Sequence, residues 1–233
     1  MSTESDGDML QYAYQFRFED GSEKHFETRL NAKTLELQTQ KPAFKPEWTK
    51  LKYHQCQNCP LGDDVEYCPV AVNLSNLVES FKDSTSYEHT QVRVEAPERT
   101  YEQHTTLQDG LSSIIGMHMV TSNCPIMDQL RPMVRFHLPF ATNEETMYRA
   151  VCMYLTKQYF VMRGGGTPDW ELSKLTDIYQ AVSIVNAGMA DRLRHASTKD
   201  ANVNALVILS AFVGSVDCSL KNGLNKIQYL FSG

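Results

Sequence analysis

Over residues 10–37, apolar and polar positions alternate. Tyr12, Tyr14, Phe16 and Phe18 recur every second residue, the period of a half-buried strand. Asp20-Gly21 predicts a tight turn, and a return strand follows over residues 23–30 with Phe26, Thr28 and Leu30 in alternation. Residues 31–34 turn again, and Leu35 and Leu37 begin a short third strand. A second hairpin is predicted over residues 89–105, with Val92 and Val94 alternating and Pro97-Glu98 turning the chain.

Elsewhere the apolar period lengthens to that of helices. Asn73 is the expected N-cap of a helix whose apolar face is Leu74, Leu77, Val78 and Phe81. Thr106 and Asp109 resemble a capping box ahead of a stripe of Leu107, Leu111, Ile114, Ile115, His118 and Met119, which must end near Cys124-Pro125. Asn143 is expected to cap a helix over residues 144–163 that stops at Gly164, Gly165 and Gly166. Pro168 and Asp169 open the next, with Leu175, Tyr179, Val182, Val185 and Met189 on its apolar side. Asp200 and Asp217 then precede two short helices. Strands first and helices later favour an α+β fold, with N-terminal antiparallel hairpins and a cysteine-rich loop packed against a mostly helical C-terminal half. The expected division is a disordered tail over residues 1–9 and one domain over residues 10–233, β-rich to 105 and helical from 106.

Composition narrows the partners. The chain has 233 residues, 42% of them hydrophobic, enough to bury a sizeable core. Its net charge is −6, and its basic residues are scattered, the densest group being Lys41, Lys45, Lys50 and Lys52, so a nucleic-acid partner is not expected. The most apolar run, residues 205–213, is too short to cross a bilayer, so no membrane span is expected. The first residues are acidic and polar rather than leader-like, which favours a cytoplasmic protein. A homodimer or protein partner would use the helical half.

Six cysteines change the picture most. In a reducing compartment they point to metal or redox chemistry rather than disulfides. Cys56, Cys59 and Cys68 form a Cys-x2-Cys-x8-Cys array in a loop rich in Gly, Asp and Pro, where three thiols are poor core material. A two-residue spacer lets a tight turn aim both sulfurs at one ion, and a more distant pair completes the set. Cys124 is the expected fourth ligand, with His54 or His118 as substitutes. Cys59, Cys68 and Cys124 each precede a proline, which stiffens the chain after the ligand. Four thiolates suit zinc and a 4Fe-4S cluster equally. Cys152, on the stripe of Met147, Val151 and Tyr154, reads as core, and Cys218, after Asp217, as structural.

Other features carry less. Gly164–Gly166 follow a helix and lack a Lys-Ser or Lys-Thr, so they read as a helix stop rather than a phosphate loop. Arg131, Arg135 and His137 sit among prolines and suggest either an anion pocket beside Cys124 or a connector whose arginines cap helix ends, the simpler reading. Cys124 could act as a thiol nucleophile with His118 or His137 as base, but no oxyanion hole or orienting group is visible in the sequence. No catalytic residue is assigned.

Four segments also carry a resemblance: Cys-Gln-Asn-Cys-Pro-Leu from Cys56, Tyr-Cys-Pro-Val-Ala-Val-Asn-Leu from Tyr67, Ser-Asn-Cys-Pro from Ser122, and Arg-Pro-Met-Val-Arg-Phe-His-Leu-Pro-Phe-Ala-Thr from Arg131. Together they resemble a bacterial family of unknown function, from about Tyr12 to the C-terminus. The resemblance implies one structural unit and transfers no activity.

Overall fold

The alternating segments pair into one antiparallel sheet. The computed structural model describes residues 9–38, 42 and 45–231. Strands β1 (Met9–Phe18), β2 (Glu23–Asn31), β3 (His89–Glu95) and β4 (Thr100–Thr106) lie in the order β2-β1-β3-β4. Register places Tyr14 between Phe26 and Val94, and Phe16 beside Val92. Leu10, Tyr12, Tyr14, Phe16 and Phe18 are all buried, while Gln11 and Arg17 on the opposite face are exposed. The turn works as its residues require: Gly21 takes φ +84°, and Ser22 N–H donates to the Asp20 carboxylate. Leu37 adds only an isolated bridge to Leu30. The expected tail lies outside the described residues as far as residue 8; Met9 already belongs to β1.

Five α-helices follow among the described residues: α1 (Pro69–Phe81), α2 (Leu107–Val120), α3 (Asn143–Arg163), α4 (Ser173–Ala196) and α5 (Ala201–Lys221). Helices α1 and α2 cover the apolar face of the sheet. Phe81 of α1 meets Phe16 at 5.2 Å and Phe26 at 5.4 Å between ring centroids. In α2 only a glycine fits at position 110, because a Cβ there would come within 2.8 Å of Val92 and 3.0 Å of Phe16. Helix α5 packs on α2, and α3 and α4 pack on α5, completing one continuous buried core with the sheet. The α+β arrangement is as the patterning predicts.

Several helix boundaries differ from expectation. Helix α1 starts four residues before Asn73: Cys68 is its N-cap and Pro69 its first residue, where a missing N–H costs nothing. Asn73 lies inside the helix and donates to the His118 carbonyl. Thr106 bonds the Asp109 side chain instead of a backbone N–H, so no capping box forms there. Thr142, not Asn143, caps α3, in a true capping box with Glu145. Asp169 does serve α4, but from a distance, accepting from Ser173 and Lys174 N–H. The expected break between a helix to Val213 and one from Asp217 to about Phe231 is absent: α5 runs through to Lys221, and beyond it only a 3-10 helix forms among the described residues, at Gln228–Phe231. With 21 residues and mean hydropathy 1.8, α5 is long and apolar enough to cross a membrane by length and composition, which corrects the expectation that no segment is; 28% of that stretch is buried.

Candidate metal centre

The cysteine loop is held by backbone and by one arginine. Cys59 N–H donates to Cys56 O at 3.0 Å, closing the turn that the two-residue spacer predicts. His54, two residues upstream, takes φ +46°. The loop's two ends are clasped together: Leu51 N–H donates to Glu66 O and Cys68 N–H to Thr49 O, both at 2.8 Å. Arg192 of α4 holds the incoming strand. Its Nη1 donates to the Trp48 and Lys50 carbonyls at 2.6 and 2.7 Å, and its Nη2 to Leu51 O at 2.8 Å.

One face of α4 receives the loop. Asn58 Nδ2 donates to Ala181 O at 2.9 Å, and the Cys56 thiol points at Val185 O, 4.0 Å away. One turn further on, Gly188 leaves room for Cys56: a Cβ there would lie 2.9 Å from Sγ and 3.5 Å from Cα. Arg192 follows one turn later, so Ala181, Val185, Gly188 and Arg192 form a single stripe.

The four expected ligands share one neighbourhood without closing round a common point. Cys56 lies within electrostatic reach of Cys59, Cys68 and Cys124, and Cys124 within reach of Cys59 and Cys68. Three separate segments supply them: the turn, the α1 N-cap and the chain just after α2. Cys68 and Cys124 are buried, Cys56 and Cys59 half-buried. Burial pushes the Cys56 thiol up to about 11, the neighbouring Cys68 thiol adds to this and the Arg192 guanidinium opposes it. Burial also raises Cys124, opposed by the backbone N–H groups of Met127 and Ile126 that donate to its sulfur. As they stand, no three His, Cys, Asp or Glu side chains among the described residues are arranged to hold a metal ion.

Arg192 is the feature the sequence reading missed. It is 0% exposed, its Nε has no hydrogen-bond partner, and no carboxylate pairs with it among the described residues. The charged or ionisable side chains facing it are Cys68, Cys56, Cys59 and Tyr53. Its only early signal would have been its position on the α4 stripe with Gly188, which means nothing until the loop docks there.

The remaining candidates find other roles. His118 Nδ1–H donates to Asn73 O and its Nε2 accepts from the Thr28 hydroxyl, so both nitrogens are used and the ring is neutral. The His54 ring stacks on His195, 4.7 Å between centroids. Cys152 and Cys218 are both exposed, against expectation: Cys152 lies one residue off the buried stripe of Met147, Val151 and Tyr154, and Cys218 sits in the last turn of α5 rather than after a cap. Arg131 pairs with Asp128, and Arg135 with Glu98 at 3.1 Å, so neither offers a free fork to an anion. With its thiol raised and no free imidazole beside it, Cys124 is not set up as a nucleophile.

His137 carries a pH dependence. Its Nε2 lies 2.5 Å from the Tyr14 hydroxyl, and burial, reinforced by the positive charge of Arg149, lowers its pKa to about 3. The unfolded chain's histidine titrates near 6.5. Between these values the unfolded state binds the extra proton, so stability is full above about pH 6.5 and falls as the pH drops towards 3. Urea unfolding at pH 4.5 and 7.5 should differ by about 2 kcal/mol more in the native chain than in His137→Asn; equal differences would exclude the effect.

The chain belongs to the family described as a domain of unknown function, DUF6901, which it matches over residues 12–232. No curated protein and no solved structure matches it.

Proposed function

We propose that Cys56, Cys59, Cys68 and Cys124 bind one metal centre as four thiolates, and that the chain is a metal-binding protein whose centre ties the loop at residues 48–68 to α1, α2 and α4. The observation that carries this reading is Arg192. A fully buried guanidinium without a carboxylate is costly unless an anion balances it. Four protonated thiols supply no charge. Four thiolates around a divalent ion, or around a 4Fe-4S core, carry a net double negative charge beside it. The N–H groups aimed at the Cys124 sulfur favour the same ionised state.

In the thiol form Cys56 donates to Val185 O. Loss of that proton removes the donor and frees the side chain to turn towards the other sulfurs. Four buried or half-buried ligands leave no open coordination position, which suits a structural zinc or an electron-carrying or sensing cluster rather than a substrate-binding ion. Six free thiols fit a reducing compartment, and on that ground the proposal puts the protein in the cytoplasm.

Elemental analysis and a visible spectrum of anaerobically purified protein test the reading. About one zinc per chain without colour, or about four irons with absorption near 400 nm, is the expected result. Folded protein that holds no metal and is indifferent to a chelator would end the proposal.

A further inference from the structure

A cavity of about 420 Å³ lies on the other side of α4, bounded by α2, α3, α5 and residues 127–141. Its walls are mostly apolar, with Met117, Leu130 and Met133 on one side and Ile208, Leu209 and Phe212 of α5 on the other. The three α5 side chains are only partly covered, which accounts for some of the apolar surface this helix leaves unburied.

Of the polar side chains in the lining, three on α3 and α4 have bonding capacity unused. Asn186 is 2% exposed, yet its amide has no hydrogen-bond partner among the described residues. The Tyr179 hydroxyl, two turns earlier on the same face of α4, also has none. Arg149 of α3 lies within electrostatic reach of Tyr179 and, one turn away on its own helix, of Glu145; its Nη2 donates to the Met133 and Phe136 carbonyls, and no carboxylate touches it among the described residues. Neither the Asn186 amide nor the Tyr179 hydroxyl is among the polar groups sealed from solvent without a partner, because both line the cavity, where a ligand or water can bond them.

We propose that this cavity binds a small organic monocarboxylate with an apolar body, the carboxylate bonded by Arg149, Tyr179 and Asn186 and the body held between α5 and residues 127–141. The donors match the ligand's charge: a guanidinium fork with two further donors satisfies carboxylate oxygens, while an apolar wall rewards an alkyl or aryl chain. This does not rest on the metal centre, because none of the three polar groups touches the cysteine loop through any hydrogen bond.

Isothermal titration of the full chain with octanoate and with 1-octanol tests it. Octanoate should bind one per chain and at least about ten-fold tighter than the alcohol, the effect of a charge-assisted bond. Arg149→Gln and Tyr179→Phe should each remove most of that preference. Tyr179→Phe deletes an oxygen with no hydrogen bond among the described residues, so its folding is not at risk, whereas Arg149→Gln loses two carbonyl contacts. No octanoate binding at about 1 mM, equal affinity for the two probes, or a preference that survives in folded Tyr179→Phe overturns the assignment.

Discussion

Replacing Arg192 with methionine should destabilise the protein by about 3–5 kcal/mol. The new side chain fills similar space but donates nothing. The carbonyls of Trp48, Lys50 and Leu51 lose their partner in a region closed to water. Each buried acceptor left alone costs about 1–3 kcal/mol. Arg192→Lys should fall between, since an ammonium keeps the charge but cannot span three carbonyls as a planar fork does. Urea unfolding with an unchanged slope reads this as a shift in midpoint. A methionine variant as stable as the native chain would mean that the loop is anchored otherwise. The same variant separates anchoring from charge balance: metal affinity should fall in Arg192→Met and hold in Arg192→Lys.

Gly188→Val should lower metal affinity by about ten-fold or more, the usual scale for disturbing the groups that position ligands. A Cβ at 188 would already lie 3.5 Å from Cys56 Cα, and branched methyl groups have no room between α4 and the loop. The turn must move away, taking Cys56 and Cys59 from Cys68 and Cys124. Because position 188 faces only the loop, the sheet and its helices should stay folded, and competition with a chromophoric chelator would read the loss directly. Native-like affinity in a folded Gly188→Val protein would separate the loop's docking from metal binding and sink this account of the centre.

Legibility varied with the range of the interactions. The period of two in Tyr12, Tyr14, Phe16 and Phe18 names the buried face of β1 because a strand's alternation depends on neighbouring residues alone. Leu74, Leu77, Val78 and Phe81 name the buried face of α1 for the same reason. Helix ends were less legible. Asn73 has the side chain of a cap, but tertiary packing starts α1 at Cys68-Pro69 and uses Asn73 against His118. The exposure of Cys152 shows how one position around a helix separates core from solvent.

What the sequence by itself determined is therefore local: the hairpins, the helical stripes, the turn between Cys56 and Cys59, and membership of an α+β class. Only the tertiary structure decided which distant groups meet. Cys124 joins a loop more than fifty positions away, Arg192 grips carbonyls that precede it by 144, 142 and 141 residues, and Tyr179 and Asn186 share a cavity with Arg149. The physical reason is that short-range sterics constrain each residue through its neighbours, whereas docking depends on the fit of whole surfaces, and no spacing rule connects the two faces of α4 to what each of them receives.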